Sequence, residues 1–315
     1  MTQAPGQAHP APGPEESPAA PGPGSPVPSR RDFLKHLAAA VAMPLAVGVY
    51  ARQIEPFWVE YHDVPMPVRG LSPALAGLRL AHLTDLHAGD HDTPWPFLES
   101  VVARVRAADP DLVLITGDLI TDAQQAWFDR VVELLAGFGR PTIMSFGNHE
   151  YGKYEAEPGD PVHWRWTAEA LAYKFAARGV VVLRNRAVRL TLRGQPLWLV
   201  GLDDLWGGYF KPAVAFAGVP ADQPRITLSH NPDTGPMLVS FDPGWVVAGH
   251  THGGQVRLPF VGAPILPVRH KHFDRGRFEL GWHSSMYVSR GVGFLRQARF
   301  LCRPEVPTYV LEPEA

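Results

Sequence analysis

From residue 78 onward, short apolar segments alternate with segments whose apolar residues recur at helical spacing. This pattern predicts strands at 78–84, 112–116 and 142–146, with helices at 94–108 and 122–138 between them. Further strands are predicted at 180–183, 188–192, 197–202, 226–229, 245–248, 286–289 and 309–311. Asp122, followed by Gln125, is expected to cap the second helix. Alternating strands and helices followed by strand-rich sequence predict an α/β fold, a two-sheet β-sandwich flanked by helices, in one domain at 60–315.

The first 51 residues differ from the rest of the chain. Residues 1–30 contain nine prolines and few large apolar side chains, which predicts a disordered segment. The segment 29–35, S-R-R-D-F-L-K, then precedes a modestly apolar run from 36 to 51. This order resembles a twin-arginine export signal. The run has the length of a signal's apolar region and is short for a membrane span, and Pro44 is expected to weaken a continuous helix. The alternative is a short amphipathic helix that happens to carry two arginines.

The resemblance of residues 29–51 to a signal implies export by the twin-arginine machinery. The protein would then be periplasmic or extracytoplasmic, or anchored to the outer face of the cytoplasmic membrane. Val49-Tyr50-Ala51 offers an imperfect cleavage site, so cleavage and membrane association through a retained N-terminus both stay open. The twin-arginine route carries folded proteins, which suits an enzyme that acquires metal ions before export.

Composition narrows the class of protein. Hydrophobic residues make up 45% of the chain and charged residues 19%, as in a soluble globular protein. The formal net charge of -2 gives no nucleic-acid-binding signal, since such proteins usually carry a basic excess. The single cysteine, Cys302, excludes an intramolecular disulfide framework and a zinc site built from cysteines.

Five polar clusters follow predicted strands. They are Asp85-Leu86-His87, Gly117-Asp118, Gly147-Asn148-His149-Glu150, Ser229-His230-Asn231 and Gly249-His250-Thr251-His252-Gly253-Gly254. Loops at the carboxyl ends of parallel strands meet in one crevice, so residues from distant parts of the chain can form a single site there. Aspartate, asparagine and histidine together suit Mn, Fe or Zn better than calcium.

The ordered set of clusters resembles the calcineurin-like metallophosphoesterase superfamily, whose pattern is D-x-H, G-D, G-N-H-[ED], H and G-H-x-H. The twin-arginine leader, the segment 201–204 and the segment 288–293 resemble the bacterial exported phosphodiesterase branch. The resemblance implies a four-layer fold and two divalent metal ions that share a nucleophilic hydroxide. The implied ligands are Asp85, His87 and His252 for one metal, Asn148, His230 and His250 for the other, and Asp118 as the bridge.

The histidines outside the expected ligand set, and Glu150 beside one of them, have different expected roles. In the family the residue at His149 is the general acid, whereas Glu150 is expected to orient a neighbour. His82 lies within a predicted strand and is expected to pack there. His270 and His272 flank Lys271 in what reads as a solvated basic loop.

The expected substrate is a phosphate ester, either a small molecule or a lipid-linked phosphodiester. The segment 151–173 contains Tyr154, Trp164 and Trp166 and is either a cap over the substrate or a surface excursion. Tyr151, Trp164 and Arg290 are candidate substrate contacts, although Arg290 could equally pair with a carboxylate. Alternative functions are a pyrophosphatase acting on a nucleotide-linked lipid precursor and a non-catalytic scaffold. The complete set of ligands favours catalysis.

We predict that replacing both Arg30 and Arg31 with lysine blocks export, because the arginine pair is the recognition element of such a signal. Cell fractionation of the tagged protein measures the distribution. Arg52→Lys, outside the motif, is the matched control and should leave export unchanged. Unaltered appearance of the double variant outside the cytoplasmic membrane would refute the signal.

Overall fold

The computed structural model describes residues 29–89, 93–121, 125–152, 165–281 and 283–314. The predictions made for residues 1–28, for the Asp122 cap and for Tyr154 and Trp164 lie outside these described residues. The chain divides into two compact units, Met1–Ala46 and Val47–Ala315.

The described N-terminal residues are helical. Helix α1, Arg30–Val49, begins where the Ser29 hydroxyl accepts a hydrogen bond from the Asp32 amide at 3.2 Å. It runs through Pro44, the residue expected to weaken a continuous helix. A proline removes one main-chain hydrogen bond, and here the flanking turns remain helical. The helical stretch Arg30–Phe57 extends beyond the apolar run at 36–51 and is, by length and composition, long and apolar enough to cross a membrane. An N-terminal signal sequence passes the same test, so both alternatives stay open.

The second unit contains two six-stranded sheets. In chain order the described strands are Glu60–Val68 (β1), Arg79–Leu83 (β2), Leu112–Thr116 (β3), Thr142–Ser145 (β4), Val181–Val182 (β5), Arg186–Leu192 (β6), Gln195–Gly201 (β7), Arg225–Leu228 (β8), Trp245–Ala248 (β9), Gly276–Gly281 (β10), Ser284–Val288 (β11) and Glu305–Pro313 (β12). The first sheet has the order β1-β12-β2-β3-β4-β5 and the second β10-β11-β9-β8-β7-β6. Strands β2 to β5 are parallel, as are β7, β8, β9 and β11.

Side-chain alternation along the central strands builds the layers. On β3, Leu112 and Leu114 face the core between the sheets, and Val113 and Ile115 face the core beneath the helices. The helices of the second unit are Trp95–Ala107 (α2), Gln125–Ala136 (α3), Arg165–Ala176 (α4), Pro212–Ala215 (α5) and Gly235–Leu238 (α6). Helices α2 to α4 cover the first sheet, and α5 and α6 cover the second. The predicted two-sheet sandwich flanked by helices is confirmed.

Five of the elements named above were not predicted from the sequence: β1, β10, α4, α5 and α6. Strand β1 contains Pro65 and Pro67, which argue against a central strand. The strand is tolerated because it lies at the edge of the first sheet and pairs only with β12 among the described strands. Contacts with distant residues, rather than local pattern, decide this element.

His82 packs within the sandwich, as expected. Its ring is buried on β2 between the Tyr309 hydroxyl at 2.8 Å and the Thr116 hydroxyl at 2.8 Å. These bonds link β2 to β12 and β3. Burial, with a contribution from His230, lowers the pKa of His82 to about 3. The ring is therefore neutral in the folded protein near neutral pH.

We predict that His82→Gln reduces the loss of stability on acidification. The unfolded chain binds a proton at this ring near pH 6.5 and the folded chain only near pH 3, so falling pH favours unfolding. This ring alone should remove about 2 kcal/mol of unfolding free energy between about pH 7.5 and about pH 5. Denaturant unfolding at both pH values measures the effect, with the exposed His283→Gln as control. Equal pH dependence in the wild type and the His82 variant would contradict the assignment.

Candidate metal centre

The five polar clusters lie together at one end of the sandwich. Each follows the carboxyl end of a parallel strand, β2, β3 and β4 in the first sheet and β8 and β9 in the second. Parallel strands end at a common edge, which brings their loops together. All seven expected ligands are buried: Asp85, His87, Asp118, Asn148, His230, His250 and His252.

The backbone at the expected ligands is unusual. Five of them have positive φ angles, at Asp85 (54°), His87 (45°), Asp118 (52°), His250 (69°) and His252 (50°). This left-handed conformation costs a non-glycine residue roughly 1–2 kcal/mol. Main-chain bonds between the loops hold it, for example from Asp85 N to the carbonyl of residue 117 at 3.0 Å and from His87 N to the carbonyl of Asp118 at 3.0 Å. Strain gathered at neighbouring residues is typical of functional sites.

Asp85, His87 and His252 form a first group of ligands. Their donor atoms all lie within 4.8 Å of one another. His252 Nε2 lies 3.0 Å from His87 Nε2 and 3.4 Å from Asp85 Oδ1. The Asp85 carboxylate is fixed by the His250 amide, which donates to its two oxygens at 2.9 and 3.1 Å.

Asp118, His230 and His250 form a second group, and Asp118 also lies close to His87 of the first group. Asp118 Oδ2 lies 3.1 Å from His230 Nε2 and 3.6 Å from His87 Nε2. His250 Nδ1 lies 3.2 Å from His230 Nε2. One carboxylate oxygen thus faces both groups, which is the position that a bridging ligand requires.

The histidine tautomers show that these groups fit a cation. His230 Nδ1 is 2.6 Å from the carbonyl oxygen of Thr116, and His250 Nε2 is 2.9 Å from that of Pro267. A carbonyl only accepts, so both of these nitrogens carry a proton, and in the neutral rings the opposite nitrogens present lone pairs. Those lone pairs face each other across 3.2 Å, an arrangement that a metal ion or a proton between them would stabilise.

The electrostatics of the centre favour bound cations. Burial lowers the pKa of His250 to about 3 and holds the pKa values of His87 and His252 well below the usual range. Burial also acts to lower the pKa of His230, but Asp118, with Asp85 and Asp204, raises it to about 10. Most rings are therefore neutral, as metal ligands must be. The negative charges of Asp118, Asp85 and Asp204 stabilise a second proton on His230. A bound metal ion would balance the same charges in place of that proton.

Glu150 braces the loops, as the sequence led us to expect. Its buried carboxylate accepts hydrogen bonds from the amides of Gly147 at 2.8 Å, Asp118 at 3.0 Å and Leu119 at 2.7 Å. The loops meet so closely that a Cβ on Gly147 would lie 2.3 Å from Asp118 Oδ1. Only glycine fits there, which accounts for the G-N-H-E cluster in structural terms.

His149 lies beside the expected ligands, close enough to His87 and Asp118 that the three could hold a metal ion. Its Nδ1 lies 3.0 Å from the carbonyl oxygen of Thr121 and so donates to it. Its Nε2 lies 4.0 Å from Asp118 Oδ2, and its amide donates to Asp118 Oδ1 at 3.1 Å. The ring lines a cavity above the ligands, together with Asn148.

The cavity has a polar floor and apolar walls. Its volume is about 390 Å³, and Asp118, Asn148, His149, His250 and His252 lie among its lining residues. The walls include Trp206, Val256, Ile265 and Leu295 together with two prolines, and Arg296 also lines the cavity. Sequence reasoning missed these wall residues, because neither spacing nor a motif marks them.

The candidate substrate contacts do not face this cavity where the structure describes them. Tyr151 is buried, and its hydroxyl donates to Asp203, so it braces the neighbouring loop. Arg290 pairs with Glu60 at 2.7 Å and with the buried Glu305 at 2.6 Å. The interpretation of Arg290 as a carboxylate partner is therefore correct. The described structure does not support Tyr151 or Arg290 as a substrate contact. Trp164 lies outside the described residues.

Other polar residues that the sequence left open have structural contacts. The Asp204 carboxylate accepts from the Gly207 amide at 2.5 Å and shapes the turn that carries Trp206. The Trp206 ring meets the His250 ring edge to face, with centroids 4.5 Å apart. His270 pairs with Asp233 at 2.9 Å rather than with the centre.

Comparison with known proteins agrees with this geometry. The family model of the calcineurin-like phosphoesterases matches residues 78–254. The chain is 33% identical to the phosphodiesterase YaeI of Escherichia coli, covering 88% of this chain and 97% of that protein. It is 31% identical to the uncharacterized metallophosphoesterase YkuE of Bacillus subtilis, covering 90% and 98%. It is 27% identical to the UDP-2,3-diacylglucosamine pyrophosphatase LpxG of Chlamydia trachomatis, covering 86% and 94%.

The fold and the buried cluster define a metal-dependent phosphoesterase. The chain belongs to the calcineurin-like phosphoesterase family, whose members are hydrolases that typically bind divalent metals.

We predict that Glu150→Ala weakens metal binding by roughly 10- to 100-fold, because residues that orient ligands contribute on this scale. The change leaves three buried amides without their acceptor. Isothermal titration of the metal-free protein with Mn²⁺ or Zn²⁺ measures the affinity. Glu133→Ala, on the exposed face of α3, is the control. Unchanged affinity in Glu150→Ala would contradict the bracing role.

Proposed function

We propose that this protein is a phosphodiesterase that works with two divalent metal ions joined through Asp118. The observation that carries the proposal is the position of Asp118 Oδ2, which faces His230 at 3.1 Å and His87 at 3.6 Å. The relative named as a phosphodiesterase covers most of the chain and supports a diester substrate.

Each group of ligands would hold one ion. Asp85, His87 and His252 would hold the first, Asn148, His230 and His250 the second, and Asp118 would contact both. The nitrogen and oxygen donors suit Mn, Fe or Zn. When bound, such a pair of ions activates water and neutralises charge on the phosphate oxygens.

His149 would donate a proton to the leaving oxygen. The carbonyl of Thr121 fixes the ring by accepting a hydrogen bond from Nδ1. Nε2 then lies at the cavity floor near Asp118, where it can reach the departing group of a phosphate held at the ligands. No side chain needs to be phosphorylated in this scheme.

The cavity walls favour a phosphodiester with an apolar group. Ile265, Leu295 and Trp206 offer apolar contact beside the centre, and Arg296 can pair with a phosphate oxygen. A pyrophosphatase acting on an acylated nucleotide is the second candidate, and the name of the Chlamydia relative supports it. The complete set of buried ligands argues against a scaffold without activity.

We also propose that the protein acts outside the cytoplasm. The support is the order of Arg30, Arg31 and the apolar helix α1, which matches a twin-arginine signal. The partners would then be the twin-arginine machinery during export and the membrane if α1 is retained.

The function is tested with purified full-length protein. After loading with Mn²⁺ or Zn²⁺, it should hydrolyse bis(nitrophenyl) phosphate faster than nitrophenyl phosphate, and metal analysis should find two ions per chain. Asp118→Asn should lose activity together with metal, because a neutral amide is a poor bridge between two cations. Preference for the monoester, or activity that survives complete metal removal, would overturn the proposal.

The same assay separates the acid from the ligands. His149→Ala should keep both metals and lose roughly 10²–10⁴-fold in rate on an alkyl ester, whose leaving group needs a proton. The loss should be smaller for nitrophenolate, a weak base. Release of one metal, or an equal loss on both substrates, would show that His149 is not the acid.

A further inference from the structure

A turn at the cavity mouth exposes large apolar side chains. We call residues 258–265 the mouth turn. Phe260 at its tip is fully exposed, Val261 is 69% exposed and Ile265 is 78% exposed. Leu258 is also exposed. Single exposed apolar residues are common, but a group of this kind on one short segment is typical of an interaction surface.

Main-chain hydrogen bonds fix the conformation of the mouth turn. The Leu258 amide donates to the carbonyl of Gly262 at 2.9 Å, and the Gly262 amide donates back at 3.0 Å. Phe260 has a φ of 64°, which is rare for a bulky residue. At its base, the Arg257 amide donates to the carbonyl of Phe300 at 2.8 Å. The fold therefore fixes the exposed apolar tip.

The mouth turn borders the metal centre. Ile265 lines the cavity together with Leu295, and the expected ligands His250 and His252 lie in the same cavity. Whatever contacts the turn is therefore placed beside the opening through which a substrate enters.

The surrounding sequence is basic. Residues 243–273 and 280–304 contain no aspartate or glutamate. They carry the exposed Arg269, Lys271 and Arg296. Basic residues next to apolar tips are the arrangement that binds a lipid surface with anionic headgroups, through burial of the tips and attraction to the phosphates.

The polypeptide enters the second unit beside the same segment. The amide of Arg299 donates to the carbonyl of Ala51 at 2.8 Å, and the Tyr50 and Phe300 rings are 6.4 Å apart. Phe300 is the residue that pairs with the base of the mouth turn. The residues that precede this entry point belong to the helical stretch that is apolar enough to cross a membrane. The point where the chain enters the second unit and the base of the mouth turn therefore both lie next to Phe300.

We propose that the mouth turn inserts into an anionic lipid surface and holds the cavity mouth against it. Phe260 and Val261 enter the acyl region, while Arg269, Lys271 and Arg296 contact headgroup phosphates. The inference goes beyond the proposed function, since it concerns where the protein binds rather than what it hydrolyses. It also gives a reason for apolar walls next to a polar centre, because a lipid substrate could pass from the surface to the ligands without crossing water.

The test uses full-length protein with an environment-sensitive fluorophore on a cysteine introduced at Phe260 or, separately, at Val261. The native Cys302 is buried and should remain unlabelled. Thr191→Cys is the matched control, because it is exposed near the β6–β7 hairpin at the opposite end of the strands. Vesicles contain phosphatidylethanolamine with a minority of phosphatidylglycerol.

With these vesicles, fluorescence at 260 and 261 should shift to the blue, and quenching by aqueous iodide should fall severalfold. The label at 191 should remain quenched on the same vesicle-bound protein. Equal quenching at all three positions would overturn the proposal. It would also be overturned if, without vesicles, the label at 260 became protected from iodide as the protein concentration rose. That result would indicate that a second copy of the protein covers the turn. Hydrolysis of a water-soluble aryl diester, measured in parallel, tests the proposed function separately, so failure of one leaves the other standing.

Discussion

The Asp118 carboxylate is a negative charge that is almost completely buried, and the centre is organised around this constraint. An isolated buried carboxylate is costly, so it must be surrounded by donors and cations. The His149 amide bonds one of its oxygens, and the rings of His230 and His87 face the other. Glu150 fixes the loop in turn by accepting from the Asp118 amide. Bound metal ions would complete the neutralisation that these neighbours begin.

The ligands come from both sheets, so packing between the sheets sets the geometry of the centre. Loops after β2 and β3 bond to each other through main-chain atoms, and the loop after β9 approaches them from the second sheet. A Cβ on Gly249 would lie 2.2 Å from Asp85 Oδ2, which leaves no room for another residue. Close approach of this kind is possible because the apolar core between the sheets is rigid and densely packed. The strained backbone at the ligands follows from the same closeness.

A polar floor and an apolar mouth give the cavity two functions. The floor carries carboxylates and imidazoles that are suited to cations, and it would attract phosphate once metals are bound. The walls, which include Ile265, Leu295 and Trp206, offer apolar surface. An apolar group of a substrate gains free energy by packing against them, whereas a fully hydrated group does not. This combination is the physical reason for proposing a substrate that carries both a phosphodiester and an apolar group.

The sequence predicted most of the strands and the set of expected ligands. Apolar strands that end in D-x-H, G-D, G-N-H-E and G-H-T-H-G-G were sufficient to identify the family and the two-sheet sandwich, because strand ends and their polar clusters are local patterns. Tertiary structure alone decided which residues surround them. It buried Tyr151, paired Arg290 with Glu60 and Glu305, and placed β1 at a sheet edge despite its prolines. It also set the tautomers of the histidines and made Trp206 a cavity wall. Each of these depends on contacts between residues far apart in the chain, and no local pattern of polarity records such contacts.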